Sequence, residues 1–158
     1  MKKILSLLVE LEHNIANASI TNTTISQVPV GWHIEHSLLV INKVVETLEK
    51  LNPADYKSKF SFLKIVIFIT KKIPRGKVKA PKQVQPSNNY TTESLAQYMQ
   101  LAKAAIQRIS FLQPNNYFEH PIFGKLNVKQ TIPFLSIHTQ HHLHIINDIV
   151  KTSQLTCN

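Results

Sequence analysis

Apolar residues recur at steps of three and four along four long segments of this chain, which is the spacing that lines one face of an α-helix. The four series begin at Leu5, Ile34, Leu95 and Leu135. Only three of the 158 residues are glycine, so a loop-rich β architecture is disfavoured. The chain is long enough for one domain with a real core. These features predict an all-α fold, a four-helix bundle, in a single domain over residues 1–158.

The connections between the predicted helices are less regular. Residues 59–70 are rich in β-branched and aromatic side chains, which favours a strand, yet the chain offers no obvious partner strand, so the type of this segment stays open. Residues 71–89 contain three prolines and no periodicity. They predict a long crossing connection between helices two and three. A further loop is expected over residues 114–124.

The last helix has two candidate starting points. Asn127 and Gln130 have the spacing of a capping box, which would begin the helix at Asn127. A slightly later start is the alternative, because Pro133 fits best in the first turn of a helix.

Basic residues are concentrated in one segment. The net charge is +9, and residues 56–82 hold nine Lys and Arg with no acidic residue, while the rest of the chain carries nine of each sign. Such a segment could attract nucleic acid, an anionic membrane or an acidic small molecule. No nucleic-acid-binding motif accompanies it, so a solvated loop is the favoured interpretation. Nucleic acid is therefore not expected as a partner.

Neither export nor membrane insertion is expected. The N-terminal apolar run is interrupted by Glu10 and Glu12, which indicates an amphipathic helix rather than a secretory signal. The longest apolar run contains Lys64 and is too short to cross a bilayer. One cysteine, Cys157, excludes an internal disulfide framework and suits a reducing cytoplasm.

Four of the eight histidines lie within seven residues of the last predicted helix. His138 and His142 are four residues apart on its apolar stripe, so both rings project from one face. Two neutral imidazoles at this spacing suit one divalent metal ion. The competing interpretation is a pair of hydrogen-bonded core histidines. His141 lies at the margin of the stripe and His144 further round, so both are expected to be exposed or to be neighbours of a ligand.

A third ligand would have to come from another helix. The second helix offers His33 and His36 near its start, both beside its main apolar stripe. The spacing alone does not choose between them. His13 and His120 are weaker candidates.

The sequence resembles the DinB-like (YfiT-like) superfamily in three places. They are the start of helix two, Gly31-Trp-His-Ile-Glu-His-Ser-Leu38, the segment His120-Pro-Ile-Phe-Gly-Lys-Leu126, and the H-x-x-x-H motif His138-Thr-Gln-His-His142. Helix order and spacing agree over nearly the whole chain. The resemblance implies a four-helix bundle that binds one divalent metal ion through His36, His138 and His142.

The resemblance also implies a chemistry. Three protein ligands leave an open position, as in catalytic zinc sites. The family includes hydrolases and transferases that use low-molecular-weight thiols such as bacillithiol or mycothiol. We therefore expect a cytoplasmic metal-dependent hydrolase or thiol-dependent transferase, with Zn, Ni, Mn or Fe as cofactor and Zn or Ni favoured. The nucleophile would be a water or thiol on the ion, with His141, His33 and Glu35 as neighbouring acid–base groups.

The chain departs from the family pattern at two positions. Many relatives place the helix-two histidine eight residues after the tryptophan, where this chain has Val40, so His33 remains an alternative to His36. Relatives that use thiol cofactors often continue His-His-Arg-Gly-Gln, whereas here Leu143-His144-Ile145 follows, which speaks against a bacillithiol-type activity.

The expected partner is a small molecule, either anionic or a thiol, over which the basic loop 71–82 would close. A homodimer is also expected. The alternative function is a non-catalytic helical protein that uses residues 56–82 to bind nucleic acid or another acidic partner.

Overall fold

Helices make up most of the protein. The structure is a computed structural model that describes residues 1–76, 80–87 and 89–155. Its helices are α1 (Lys2–His13), α2 (Val30–Lys50), α3 (Phe62–Thr70), α4 (Thr92–Arg108) and α5 (Val128–Leu155). Two short strands, β1 (Tyr117–His120) and β2 (Gly124–Asn127), precede α5.

The four predicted long helices are α1, α2, α4 and α5, and they pack on one another through their apolar faces. α2 lies against both α4 and α5, and α1 lies against α5 and α4. Each of them contributes fully buried side chains, among them Leu8, Ile34, Met99 and Ile149. The periodicity in the sequence therefore identified the faces that form the core. The packing of α2 on α5 also brings together the two helices that carry the candidate ligands.

The start of α5 is fixed by a reciprocal cap. The backbone N–H of Gln130 donates to Asn127 Oδ1 at 3.2 Å, and the backbone N–H of Asn127 donates to Gln130 Oε1 at 3.2 Å. The predicted capping box is therefore present. Pro133 lies inside the helix rather than in its first turn, so the later start is wrong. The helix therefore accommodates a proline, which cannot donate a backbone hydrogen bond, beyond its first turn.

Residues 59–70, whose secondary structure the sequence left undecided, contain helix α3. The Ser61 hydroxyl accepts the N–H of Lys64 and caps the helix, and Lys71 ends it in the left-handed conformation (φ 56°). The β propensity of the segment does not prevail, because no strand among the described residues lies beside it to accept ladder hydrogen bonds. α3 lies within the connection between α2 and α4 and packs on α5.

The expectation of an all-α fold is wrong in one place. Within and just after the predicted loop, β1 and β2 form a small antiparallel hairpin in which Phe118 pairs with Leu126. Gly124 takes a positive φ of 69° after the turn, a conformation that glycine adopts without strain. Phe118 and Leu126 are buried. Their burial holds two strands that are too short to persist alone.

Two expectations from the sequence remain to be compared with the structure: that no segment spans a membrane, and that residues 56–82 and Cys157 have the roles given above. No helix in the described ranges is both long and apolar enough to cross a membrane. Lys77 and Lys79 of the basic segment and Cys157 lie outside the described residues.

Candidate metal centre

Three histidines from two helices meet inside the protein. His36 comes from the second turn of α2, and His138 and His142 come from successive turns of α5. Their ring centroids lie 5.1 Å (His36–His138), 4.8 Å (His36–His142) and 4.7 Å (His138–His142) apart. One nitrogen from each ring lies within 4.8 Å of the other two. These are the three residues that the family resemblance implied.

His36 is held from both sides. Its Nδ1 lies 2.8 Å from the backbone carbonyl oxygen of Val84, which can only accept, so Nδ1 carries the proton. The Trp32 ring, one helical turn earlier, stacks on the imidazole at 5.0 Å and 19°. Because Nδ1 is protonated, Nε2 of a neutral His36 carries a free lone pair. A backbone carbonyl that accepts the second N–H is the usual support of a histidine ligand.

His142 is supported by a second histidine. Its Nδ1 lies 3.0 Å from Nδ1 of His33, and Nε2 of His33 lies 2.9 Å from the Ser26 hydroxyl. Both nitrogens of His33 therefore have hydrogen-bond partners, whereas Nε2 of His142 has none in the described residues. His33 and His36 are both buried, at 4% and 5% exposure, so burial alone does not choose between them.

His138 completes the group with an unpartnered nitrogen. Its Nδ1 is buried and has no hydrogen-bond partner in the described part of the chain. The ring lies 5.9 Å from Phe134, which belongs to an aromatic cluster with Phe123 and His120. A buried polar atom without a partner carries a free-energy cost that a bound ion would remove.

The surroundings keep these imidazoles neutral. Burial lowers the pKa of His36, and it lowers the pKa of His138 and of His142 well below the ordinary value, with the neighbouring histidines adding to the effect. Burial also lowers the pKa of His33 to about 4, and repulsion between the protonated forms of His33 and His36 adds to the effect. Neutral imidazole is the form that binds a metal ion. At neutral pH the group is therefore ready to coordinate.

The remaining predicted residues surround the group or lie apart from it. His141 is partly buried, its ring lies 5.2 Å from that of His142, and burial together with the charge of Arg75 lowers its pKa to about 4. His144 is exposed, and so is His13. Burial likewise lowers the pKa of His120 to about 4, and its Nδ1 accepts two backbone N–H groups of the hairpin turn.

Glu35 does not join the histidines. Its side chain is buried at 3% exposure, burial raises its pKa, and the backbone of Ser87 opposes that shift. Among the described residues, the group of potential ligands contains only His36, His138 and His142. The role of Glu35 as an acid–base group beside the ion therefore stays a prediction, which no contact in the described structure supports.

Sequence reasoning missed the groups that position the histidines. Ser26 lies in the connection between α1 and α2, and Val84 ends a short 3-10 turn between α3 and α4, and nothing in their sequence marks them as partners of a histidine. Trp32 was detectable, because it precedes His36 by four residues and so lies on the same face of α2.

Comparison with known proteins bears on the family of the chain. No curated protein and no solved structure matches the chain significantly. The family model described as DinB superfamily matches residues 25–146, a span that includes α2, α4, the hairpin and all three histidines. The chain belongs to the DinB superfamily.

Proposed function

We propose that His36, His138 and His142 hold one divalent metal ion and that the protein is a metal-dependent enzyme. The observation that carries the proposal is the convergence of three neutral imidazoles, two of them buried and that of His138 half-buried, each with a nitrogen free of hydrogen bonds. The set contains no carboxylate or thiolate. Imidazole suits Zn, Cu, Fe and Ni, and the affinity of such a site is generally lower for Mn and Fe than for the later metals. Zn or Ni is therefore favoured over Mn and Fe.

We infer that the four long helices form a four-helix bundle of the DinB type around this centre. The pairwise packing of α1, α2, α4 and α5 supports this arrangement. Bundles build metal sites from side chains on facing helices. Here α2 would supply one ligand and α5 the H-x-x-x-H pair.

His36 rather than His33 is the proposed third ligand. A ligand needs a nitrogen lone pair that points away from its other hydrogen bond, and only His36 keeps one. His33 has partners at both nitrogens. Its role would be to accept the Nδ1–H of His142 and so fix the tautomer that leaves His142 Nε2 free.

The centre has the ligand number of a catalytic site. An ion held by three histidines supplies Lewis acidity and keeps a position open for water or substrate. The protein itself supplies the neutral imidazoles and the aromatic wall that contains Phe134. The partly buried His141 is the titratable group best placed to exchange a proton with a molecule at the centre.

The proposed substrate is a small anionic molecule. Arg75, in the connection after α3, is close enough for its charge to lower the pKa of both His33 and His141. Its guanidinium also pairs with Asp148 of α5 at 2.7 Å, which anchors the connection beside the histidines. A hydrolase or a group transferase fits this arrangement. Because Leu143-His144-Ile145 replaces the sequence typical of thiol-using relatives, hydrolysis is preferred.

Metal loading is the first test of the proposal. Protein freed of metal, incubated with Zn²⁺, Ni²⁺ or Mn²⁺ and desalted, is expected to retain about one ion per chain by elemental analysis. His138→Ala should abolish retention, whereas His144→Ala, an exposed histidine on the same helix, should leave it unchanged. Wild-type protein that stays metal-free with every ion would contradict the proposed centre.

Catalysis is tested separately. The loaded wild type and the His138→Ala variant are compared on a panel of anionic esters and amides and on thiol-addition substrates. Turnover that requires both the ion and His138 supports an enzyme. Equal rates in the two proteins would place the activity elsewhere.

A further inference from the structure

Helix α3 presents its apolar residues to the outside. Its exposed large apolar residues, with the residue before its cap, form what we call the α3 patch: Phe60 (84% exposed), Phe62 (72%), Leu63 (47%), Ile65 (39%) and Ile69 (74%). The described structure has ten exposed large hydrophobic residues, and five of them fall between positions 60 and 69. Scattered exposed apolar residues are ordinary, but a contiguous patch marks an interaction surface.

The orientation of α3 is the reverse of an ordinary surface helix. Its buried residues are Ile67 and Lys64, and the Lys64 ammonium donates to the Lys59 carbonyl. The outer side carries Phe62, Ile65 and Ile69, which are spaced three and four residues apart and therefore form one stripe along the helix. Packing against the rest of the chain thus uses one side of α3 and leaves its second apolar side uncovered by any described residue.

Positive charge surrounds the α3 patch. Lys57 and Lys59 lie before the helix, Lys71 and Lys72 follow it, and Lys82 lies further along the connection, all of them exposed. Residues 56–82 contain no acidic residue. None of these five lysines forms an ion pair within the described residues. The α3 patch is therefore flanked in the chain on both sides by exposed lysines that have no ion-pair partner among the described residues.

We propose that the α3 patch docks on the surface of an anionic lipid bilayer. Exposed aromatic and aliphatic side chains that enter the headgroup region, flanked by lysines that face anionic lipids, are the two components of interfacial membrane binding. A second copy of this chain fits less well. A two-fold contact through the α3 patch would bring each set of lysines against its equivalent, and residues 56–82 contain no acidic residue to pair with them. This proposal departs from the sequence-based expectations that residues 56–82 form a solvated loop and that the protein has no membrane partner.

Vesicle sedimentation tests the docking surface with the full-length protein. We expect binding to phosphatidylcholine vesicles that contain phosphatidylglycerol, weakening with added salt, and little binding to phosphatidylcholine alone. Phe62→Ser and Ile69→Ser should each weaken the partition coefficient roughly tenfold. Phe111→Ser is the matched control, because Phe111 is 87% exposed but lies outside the α3 patch. It should bind as the wild type does.

The charge component has its own variants. Each lysine near an anionic surface contributes about fivefold to partitioning, so Lys59→Gln with Lys72→Gln should weaken binding about 30-fold. The double change Lys2→Gln with Lys3→Gln removes the same charge outside the segment and should have little effect. The His138→Ala variant should bind vesicles normally, which separates this proposal from that of the metal centre.

Three results would overturn the proposal. They are no binding to anionic vesicles, equal binding to neutral ones, and equal binding by wild type and a Phe62→Ser/Ile69→Ser double variant. Light scattering during size exclusion tests whether a second copy of the chain covers the α3 patch instead. A dimer that does not bind vesicles and that dissociates in the double variant would show this.

Discussion

The hydrogen-bonded chain from His142 through His33 to Ser26 leads to a graded prediction for metal affinity. With the ion on Nε2 of His142, the proton of that ring lies on Nδ1 and is donated to Nδ1 of His33 across 3.0 Å. His33 must then carry its own proton on Nε2 and donate it to the Ser26 hydroxyl across 2.9 Å. Only one arrangement of protons is compatible with the bound ion, and His33 is the residue that imposes it.

Removal of His33 should therefore weaken binding without abolishing it. Loss of a partner that supports a ligand typically lowers metal affinity 10- to 100-fold, or about 1.4–2.7 kcal/mol. We expect His33→Ala to fall in this range and still bind about one Zn²⁺ per chain. Ser26→Ala, at the end of the chain, should lose less, because a hydrogen bond between neutral groups contributes about 1 kcal/mol. His36→Ala removes a ligand and should lose stoichiometric binding.

The measurement is a titration of metal-free protein with Zn²⁺ against a competing chelator, with elemental analysis for stoichiometry. His144→Ala is the control, because it deletes an exposed imidazole from the same helix as His142. Nitrogen chemical shifts of the loaded protein should place the His33 proton on Nε2. An affinity for His33→Ala equal to that of the wild type would refute the supporting role. Loss of stoichiometric binding in His33→Ala with retention in His36→Ala would make His33 the third ligand.

Further predictions concern stability. The pKa of His33 and that of His120 are lowered to about 4 from an ordinary 6.5, so between these pH values the unfolded chain binds more protons than the folded one. The unfolding free energy of the metal-free protein should therefore be highest above pH 6.5 and fall as the pH drops toward 4, and denaturant midpoints that stay constant over this window would contradict it. Gly31→Ala should destabilise by roughly 1–3 kcal/mol, because its methyl group would overlap the Tyr90 ring; an unchanged thermal midpoint would show that the ring moves away freely. Lys71→Gly should stabilise by about 0.5–1 kcal/mol in urea unfolding, because glycine adopts φ 56° without strain, and a loss of stability would argue against this account.

Local pattern was sufficient for the parts of the fold that depend on neighbours in sequence. The four apolar series predicted α1, α2, α4 and α5, because helical faces repeat every three to four residues whatever the tertiary context. The cap formed by Asn127 and Gln130 is equally local. Segment 59–70 and the hairpin were not predictable in this way. Their conformation depends on whether a partner strand or a packing surface is available, which the sequence of the segment does not record.

In the candidate site, too, some features follow from local sequence and others from tertiary contacts. By itself the sequence determined that His138 and His142 share one face of a helix, because a separation of four residues fixes their relation. Only the tertiary structure decided which histidine of α2 keeps a free nitrogen. That decision depends on the Val84 carbonyl beside His36 and on Ser26 and His142 beside His33. These partners lie outside α2, two of them 48 and 109 residues away in sequence, and such hydrogen bonds exist only once the chain has folded and brought the groups together.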